Sequence, residues 1–221
     1  MSLATLRDRL VERLAPVDGW RPEHPAARSD FDLNPAAVRM VDRALKPAAV
    51  LIAVVGEPDG ASVLLTRRAD SLVSHTGQIA FPGGRLDPGE TAVEAALREA
   101  REEVDLDPGR VHVLGLSDTY ETGTGYLITP VIGWIDRLPP LTPSPQEVAE
   151  IFQTPWDFLM DPANHRRDHM EVPEGVRRWF WSMTWEERYI WGVTAGIIRG
   201  LRTRLYGEEP DLSAAAAEDA A

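Results

Sequence analysis

The chain of 221 residues contains no cysteine, and lysine occurs once, as Lys46, against 22 arginines. The absence of cysteine excludes disulfides, thiol nucleophiles and thiolate metal sites, and it is compatible with a cytoplasmic location, which we predict. Acidic residues outnumber basic ones and give a formal net charge of −12. Proteins that bind nucleic acids normally carry a basic face, so we expect no nucleic-acid partner.

Long apolar segments are also missing. The longest runs over residues 48–55, far short of the roughly 20 residues needed to cross a bilayer, so we expect no membrane partner. The amino terminus lacks the apolar core of a signal peptide, and Leu3, Leu6, Leu10 and Leu14 instead predict an amphipathic helix. Either the domain or a second subunit of a homodimer has to cover this apolar stripe.

The distribution of residue types predicts three regions. The amphipathic helix and a connector rich in Pro, Asp and Arg occupy residues 1–33, one enzyme domain occupies residues 34–207, and an acidic, alanine-rich tail predicted to be disordered occupies residues 208–221. Asn34 and Pro35 resemble the start of a helix that would continue to Leu45.

Short apolar runs separated by turns predict strands on both sides of a central helix. The runs cover residues 48–55, 62–67, 78–81, 111–118 and 126–135. This order predicts an α/β fold in which a mixed sheet lies between helices. Trp179, Trp181 and Trp185 predict a later hairpin, and Trp191 precedes the last helix. Tryptophans of this kind more often pack in a core or at a dimer contact than stack on an adenine base.

The central helix carries three carboxylates on one face. Glu99, Glu102 and Glu103 are spaced by three and four residues, so their like charges repel each other. A hard divalent cation such as Mg²⁺ or Mn²⁺, which prefers oxygen ligands, would offset this repulsion. The ordinary alternative is a solvated acidic face. We predict a buried face on the opposite side, made by Val93, Leu97, Ala100 and Val104.

The residues around this helix favour a site over a surface stripe. We interpret residues 81–84 as a strand end followed by a loop in which glycine allows backbone carbonyls to approach a ligand or ion. Glu90 and Thr91 begin the helix. Arg98 is expected to pair with Glu90 or Glu102 and thereby hold the acidic array in place.

This segment resembles the Nudix box, the signature of the Nudix hydrolases. The matching residues are Gly84, Glu90, Arg98, Glu99, Glu102, Glu103 and Leu106. Ala100 stands in place of a larger aliphatic residue, and Asp105 replaces the glycine that ends the helix. The resemblance implies an α/β/α sandwich and a metal-dependent pyrophosphohydrolase. It also implies Glu99 and Glu103 as the principal metal ligands, with Glu102 and the Gly84 carbonyl as further ones.

A second segment, residues 64–84, resembles the extra signature of the coenzyme A pyrophosphatase branch. It is met by Leu64, Leu65, Thr66, Arg68, His75, Gly77, Gln78 and residues 81–84. The resemblance implies coenzyme A or its thioesters as substrate, with Gly83 at the substrate. The basic pair Arg67 and Arg68 would bind the pyrophosphate or the 3′-phosphate bidentately. For His75, a structural hydrogen-bonding role stands beside a role at the substrate.

Later segments, residues 126–134, 144–162 and 190–195, resemble further landmarks of this branch. Glu147 in the second of them is a candidate general base that reaches the metal site, with a structural role as the alternative, and Glu102 is the other candidate base. Two alternatives to coenzyme A hydrolysis remain: a Nudix enzyme for ADP-ribose or NADH, and a non-catalytic nucleotide-binding module. The three intact glutamates argue against the non-catalytic module.

Overall fold

The computed structural model describes residues 1–21, 25–35, 44–69, 77–172 and 175–207. The helices are α1 (Leu3–Arg13), α2 (Ala92–Val104), α3 (Trp156–Met160) and α4 (Val193–Tyr206), and 3₁₀ turns cover Pro108–Arg110 and Pro162–Asn164. The strands are β1 (Arg28–Ser29), β2 (Lys46–Glu57), β3 (Gly60–Arg68), β4 (Ile79–Ala80), β5 (Gly83–Arg85), β6 (His112–Leu116), β7 (Tyr120–Glu121), β8 (Tyr126–Ile135), β9 (Val148–Pro155), β10 (Arg166–Val172), β11 (Val176–Trp185) and β12 (Arg188–Trp191).

Three sequence predictions lie wholly or largely outside the described residues: the helix after Asn34, the position of His75 and the tail 208–221. Asn34 itself is described. Its side-chain amide donates to the backbone oxygens of Asp30 and Trp179, and its oxygen accepts the Trp179 amide at 2.8 Å. Asn34 therefore fastens the connector to β11.

Nine strands of the described residues form one mixed sheet. Its order is β1-β7-β8-β2-β3-β4, with β5 added to β2, β6 to β8 and β9 to β3. Strands β2 and β8 run parallel, whereas β2 and β3 form an antiparallel hairpin. A second, antiparallel sheet has the order β10-β11-β12 and contains the predicted tryptophan hairpin. The predicted mixed sheet is confirmed.

The main sheet separates two apolar layers because successive side chains of a strand point to opposite faces. On β2, Ile52 and Val54 pack with α1, α3 and α4, while Leu51 and Val55 pack on the side of α2. Helices thus cover both faces of the sheet. The α/β/α sandwich predicted from the sequence is the observed architecture.

The amino-terminal helix α1 is docked on the domain. Leu6, Leu10 and Leu14 are buried, and the Nε atom of Arg204 donates to the backbone oxygen of Arg13 at 2.7 Å. The chain's own domain therefore covers the leucine stripe, which is one of the two arrangements expected. No helix in the described ranges is long and apolar enough to cross a membrane.

Helix α2 begins and ends with local signals. Thr91 caps it in a reciprocal capping box with Glu94, and Asp105 ends it in the left-handed conformation with φ 57° and ψ 33°. Asp105 thus adopts the conformation expected of the glycine that it replaces.

The predicted buried face of α2 is wrong in part. Ala100 and Val104 are buried, but Val93 and Leu97 lie only partly buried at the margin. Three alanines replace them in the core: Ala92, Ala95 and Ala96. Small side chains let the helix lie close to β2, and Glu103 is buried beside them. The acidic and apolar faces of α2 are therefore adjacent, not opposite.

Candidate active site

The glycines before α2 form a short strand and not the predicted loop. Gly83 and Gly84 belong to β5, which pairs with β2. A Cβ atom at Gly84 would lie 2.4 Å from Oε1 of Glu99, and one at Gly83 would lie 2.4 Å from the backbone oxygen of Ala49. The backbone of β2 therefore excludes a larger residue at Gly83, whereas a larger residue at Gly84 would displace the Glu99 carboxylate from this position.

Arg98 organises the carboxylates in front of α2. Its Nε atom donates to Glu90 at 2.8 Å, and its Nη1 atom donates to Glu99 at 2.9 Å and to Glu102 at 3.4 Å. Its Nη2 atom reaches the backbone oxygen of Arg85 at 3.0 Å. The hydrogen bond from Arg98 lowers the pKa of Glu90. The predicted pairing is confirmed for both acids named from the sequence.

Glu103 is the buried member of the acidic array, with 4% of its surface exposed. Burial is the main cause that raises the pKa of Glu103 to about 8, and the negative charge of the neighbouring Glu99 is the second cause. The charge of Arg68 and the backbone amide of Gly83 oppose this shift. Burial also raises the pKa of Glu99. A buried carboxylate that lacks a full counter-charge is an environment that favours a bound cation.

Glu147 approaches the same carboxylates from a separate loop. The backbone oxygen of Glu147 accepts a hydrogen bond from the Ala69 amide at 2.8 Å. The loop is also fixed to α2, because the Ser144 amide donates to the backbone oxygen of Glu103 at 2.8 Å. The negative charge of Glu147 contributes to the raised pKa of both Glu99 and Glu103. The structure thus brings Glu147 to the acidic array, while Glu102 lies at its exposed margin.

The donor set at the acidic array fits a hard divalent cation. Among the described residues, no three His, Cys, Asp or Glu side chains converge tightly enough to hold an ion. The available donors are carboxylate oxygens, and the Glu103 carboxylate is buried. The backbone of Gly84, which carries no side chain, lies next to the Glu99 carboxylate. Oxygen donors of this type suit Mg²⁺ or Mn²⁺. Binding requires the carboxylates to turn toward a common point.

Arg67 and Arg68 do not act as a pair in space. The pairing of β3 with β9 shifts register between them, and their side chains leave β3 on opposite faces of the sheet. Arg68 lies on the side of α2, where its charge acts on Glu103. Its Nε atom is buried without a hydrogen-bond partner among the described residues. Arg67 lies on the other face, with Nε 3.4 Å from Glu150.

Two residues at this second face have no counterpart in the sequence analysis. Glu150 accepts a 2.7 Å hydrogen bond from Nη2 of Arg188 in addition to its contact with Arg67. The hydrogen bond from Arg188 lowers the pKa of Glu150. Arg188 and Glu150 are 38 residues apart, so no local pattern indicated this contact. A cavity of about 820 Å³ lies here, lined by residues that include Arg67, Gln78, Glu150, Arg188, Tyr189 and Trp191.

Comparison with known proteins agrees with the fold and the box. The model of the NUDIX domain family matches residues 45–174. The chain is also 40% identical over 155 residues to proteins named "Uncharacterized Nudix hydrolase NudL" from Yersinia pestis (strain Pestoides F) and Yersinia pseudotuberculosis serotype O:1b (strain IP 31758), covering 70% of this chain and 77% of each relative. The chain belongs to the Nudix family.

Two solved structures illustrate more distant similarity. The Nudix hydrolase RenU from M. smegmatis is 28% identical, with a TM-score of 0.45, over 52% of this chain and 74% of that one. A C. elegans Ap4A hydrolase binary complex is 20% identical, with a TM-score of 0.44, over 49% of this chain and 79% of that one.

Proposed function

We propose that this chain hydrolyses the pyrophosphate bond of coenzyme A or an acyl-coenzyme A. The products are 4′-phosphopantetheine, or its acyl form, and adenosine 3′,5′-bisphosphate. The broader class follows from the family: the chain is a Nudix pyrophosphohydrolase, and such enzymes act on nucleoside diphosphate derivatives and generally use a divalent metal ion such as Mg²⁺ or Mn²⁺. The identity of the substrate is the proposed part.

The proposal rests on the position of Arg68, where the two sequence signatures meet in the folded protein. Arg68 of the upstream segment lies on the same face of the sheet as Glu103 of the box, close enough for its charge to lower the pKa of that carboxyl. Its buried Nε atom has no hydrogen-bond partner in the described parts of the chain. A guanidinium with an unsatisfied Nε donor, beside a carboxylate proposed to bind metal, is suited to a phosphate oxygen of the substrate.

The acidic residues have separate roles in this proposal. Glu99 and Glu103 hold the metal ion, with Glu102 and the backbone carbonyl of Gly84 as further ligands. When bound, the ion offsets the charge on the pyrophosphate oxygens and lowers the pKa of a bound water. Arg98 keeps Glu99 in position through the 2.9 Å bond from its Nη1 atom, and Glu90 in turn holds Arg98 at 2.8 Å.

We assign the general base to Glu147. The oxygen of the attacking water forms a bond to phosphorus, the anhydride P–O bond breaks, and the water proton passes to the carboxylate. Glu147 is supported because its charge reaches both Glu99 and Glu103. Glu102, the other candidate, lies 3.4 Å from Nη1 of Arg98. An ion-paired carboxylate is a weaker proton acceptor.

A substrate panel tests the proposal. Coenzyme A, acetyl-coenzyme A, ADP-ribose and NADH are incubated with the protein and Mg²⁺ or Mn²⁺, and the products are identified by mass. We expect the largest kcat/KM for coenzyme A or its thioester, with adenosine 3′,5′-bisphosphate as a product. A larger kcat/KM for ADP-ribose or NADH would replace the proposed substrate by the alternative nucleotides. The absence of any hydrolysis would favour a binding module.

A further inference from the structure

The cavity beside Arg67 has the dimensions of a ligand site but lies across the sheet from the carboxylates. Its volume of about 820 Å³ falls within the usual range for small-molecule pockets. Arg67 lines this cavity, whereas the next residue, Arg68, acts on Glu103 from the other face. The cavity and the acidic array therefore lie on either side of the same end of β3.

One wall of the cavity is aromatic and held rigidly. The rings of Tyr189 and Trp191 lie 6.4 Å apart at an interplanar angle of 23°. Trp191 also packs on Phe180 at 5.1 Å, and the Tyr189 hydroxyl donates to Asp168 at 2.7 Å. A fixed aromatic surface at the edge of a cavity is suited to stacking against a flat ring.

The charges around the cavity disfavour a phosphate group. Two guanidinium groups, those of Arg67 and Arg188, face three carboxylates, those of Glu150, Glu186 and Glu187. Glu150 lies between the two arginines, 3.4 Å from Arg67 and 2.7 Å from Arg188, and Glu186 also pairs with Arg188. The arginines are thus compensated by fixed carboxylates. An uncharged ligand with hydrogen-bond donors fits this environment better than an anion.

We propose that this cavity binds the adenine base of the nucleotide substrate, an inference that rests on the proposed function for the class of substrate. The base stacks on the wall formed by Tyr189 and Trp191. Its exocyclic amine donates to the carboxylate of Glu187, an exposed turn residue that makes no hydrogen bond or ion pair with other described residues. The pyrophosphate then extends past the end of β3 toward Arg68 and Glu103.

Binding of the two uncharged halves of coenzyme A tests this assignment. Adenosine and pantetheine are titrated separately by calorimetry into the full-length protein and into Trp191→Leu, Trp191→Phe and Trp185→Leu. Trp185 belongs to the same hairpin but packs on Phe158 and does not line the cavity, so it is the matched control. We expect adenosine binding to weaken by about tenfold or more in Trp191→Leu, since stacking is lost. It should remain near wild type in the other two variants.

A second variant removes Glu187, the proposed hydrogen-bond acceptor, and should leave the fold intact. Glu187→Ala changes an exposed side chain, and it should abolish the preference for adenosine over inosine, which carries a carbonyl in place of the amine. The assignment is overturned if adenosine does not bind, if pantetheine is the ligand that Trp191→Leu weakens, or if Glu187→Ala keeps the preference.

The outcome of these binding experiments does not depend on whether coenzyme A is the substrate. Adenosine is common to coenzyme A, ADP-ribose and NADH, so its binding does not depend on which of them is hydrolysed. Glu103→Gln should leave adenosine affinity unchanged, because that residue lies on the other face of the sheet. Loss of adenosine binding in Glu103→Gln would place the base at the carboxylates and overturn the assignment, whatever the substrate panel shows.

Discussion

Arg67 and Arg68 are neighbours in the chain, yet they interact with carboxylates on opposite faces of the sheet. Arg67 lies 3.4 Å from Glu150 of β9, whereas Arg68 acts on the buried Glu103 of α2. The alternation of side chains along β3 produces this separation. The two guanidinium groups therefore have different tasks, although the sequence presents them as a basic pair.

The first prediction distinguishes these tasks through the 3′-phosphate of coenzyme A. We expect coenzyme A to be preferred over 3′-dephospho-coenzyme A by about tenfold to a hundredfold in kcat/KM, as a charge-assisted hydrogen bond provides. Arg68→Gln should lower kcat/KM for both substrates by a similar factor and leave this ratio unchanged, because Arg68 lies beside Glu103, where the pyrophosphate common to both substrates is proposed to bind. Steady-state kinetics on both substrates measure the ratio. A collapse of the ratio toward one in Arg68→Gln would place this guanidinium at the 3′-phosphate and contradict the assignment.

The second prediction concerns Glu103 as a metal ligand. Glu103→Gln should lower kcat by about a hundredfold or more, since removal of an electrostatic contribution at a reacting site has effects of this size. Circular dichroism and thermal melts should show an intact fold. Glu57→Gln, at an exposed position at the end of β2, is the control and should retain full activity. Activity of Glu103→Gln near wild type would remove this side of α2 from the mechanism.

The third prediction concerns the positioning of Glu99 by Arg98. Arg98→Lys keeps the charge but loses the fork that joins Glu90, Glu99 and the backbone oxygen of Arg85. We expect a loss of about 1–3 kcal/mol in the free energy of unfolding, from denaturant titration, together with a lower kcat. Arg101→Lys, at an exposed position of the same helix, should change neither quantity. Equal effects of the two variants would contradict the role of Arg98.

The fourth prediction concerns α1. Leu10 is fully buried, and Leu10→Ala should lower the free energy of unfolding by about 2–5 kcal/mol because it leaves a cavity in the core. Val11, with 58% of its surface exposed on the same helix, is the control, and Val11→Ala should have little effect. Urea denaturation of both variants provides the comparison. A stability of Leu10→Ala equal to that of the control would show α1 to be undocked in solution.

The fifth prediction concerns pH and His165. Burial lowers the pKa of His165, and the charges of Arg199 and Arg202 act in the same direction. Its Nε2 atom pairs with the Leu159 oxygen at 2.7 Å, while its buried Nδ1 atom has no hydrogen-bond partner in the described residues. Below the ordinary value of 6.5, the unfolded chain binds a proton that the folded protein does not.

His165 should therefore contribute stability that is fully present above about pH 6.5 and is lost as the pH decreases toward the lowered pKa, with a slope of at most about 1.4 kcal/mol per pH unit. The raised pKa of Glu103 adds a slope of opposite sign, which the wild type and both histidine variants share. Denaturant unfolding across the range in which His normally titrates, roughly pH 5 to 8, measures the difference between each variant and the wild type. His165→Gln should remove the contribution of His165. His112, which is exposed beside Asp136, provides the control variant His112→Gln, which should keep it.

The local sequence determined the parts of this protein that depend on neighbouring residues. The capping signal at Thr91, the left-handed end at Asp105 and the pairing of Arg98 with Glu90 all arise within one helix and the turn before it. The apolar run of β2 and the alternation of short strands likewise determined a mixed sheet covered by helices. These features follow from helical and strand periodicity, which act over a few residues.

Only the tertiary structure decided which face of each element is buried and which distant residues meet. Alanines and not Val93 or Leu97 form the inner face of α2, because the helix lies close against β2. Glu150 holds Arg188 across 38 residues and closes one side of the cavity. Such contacts depend on the register of strands that are far apart in the chain. No spacing in the sequence encodes that register, because it is determined by the packing of the whole sheet.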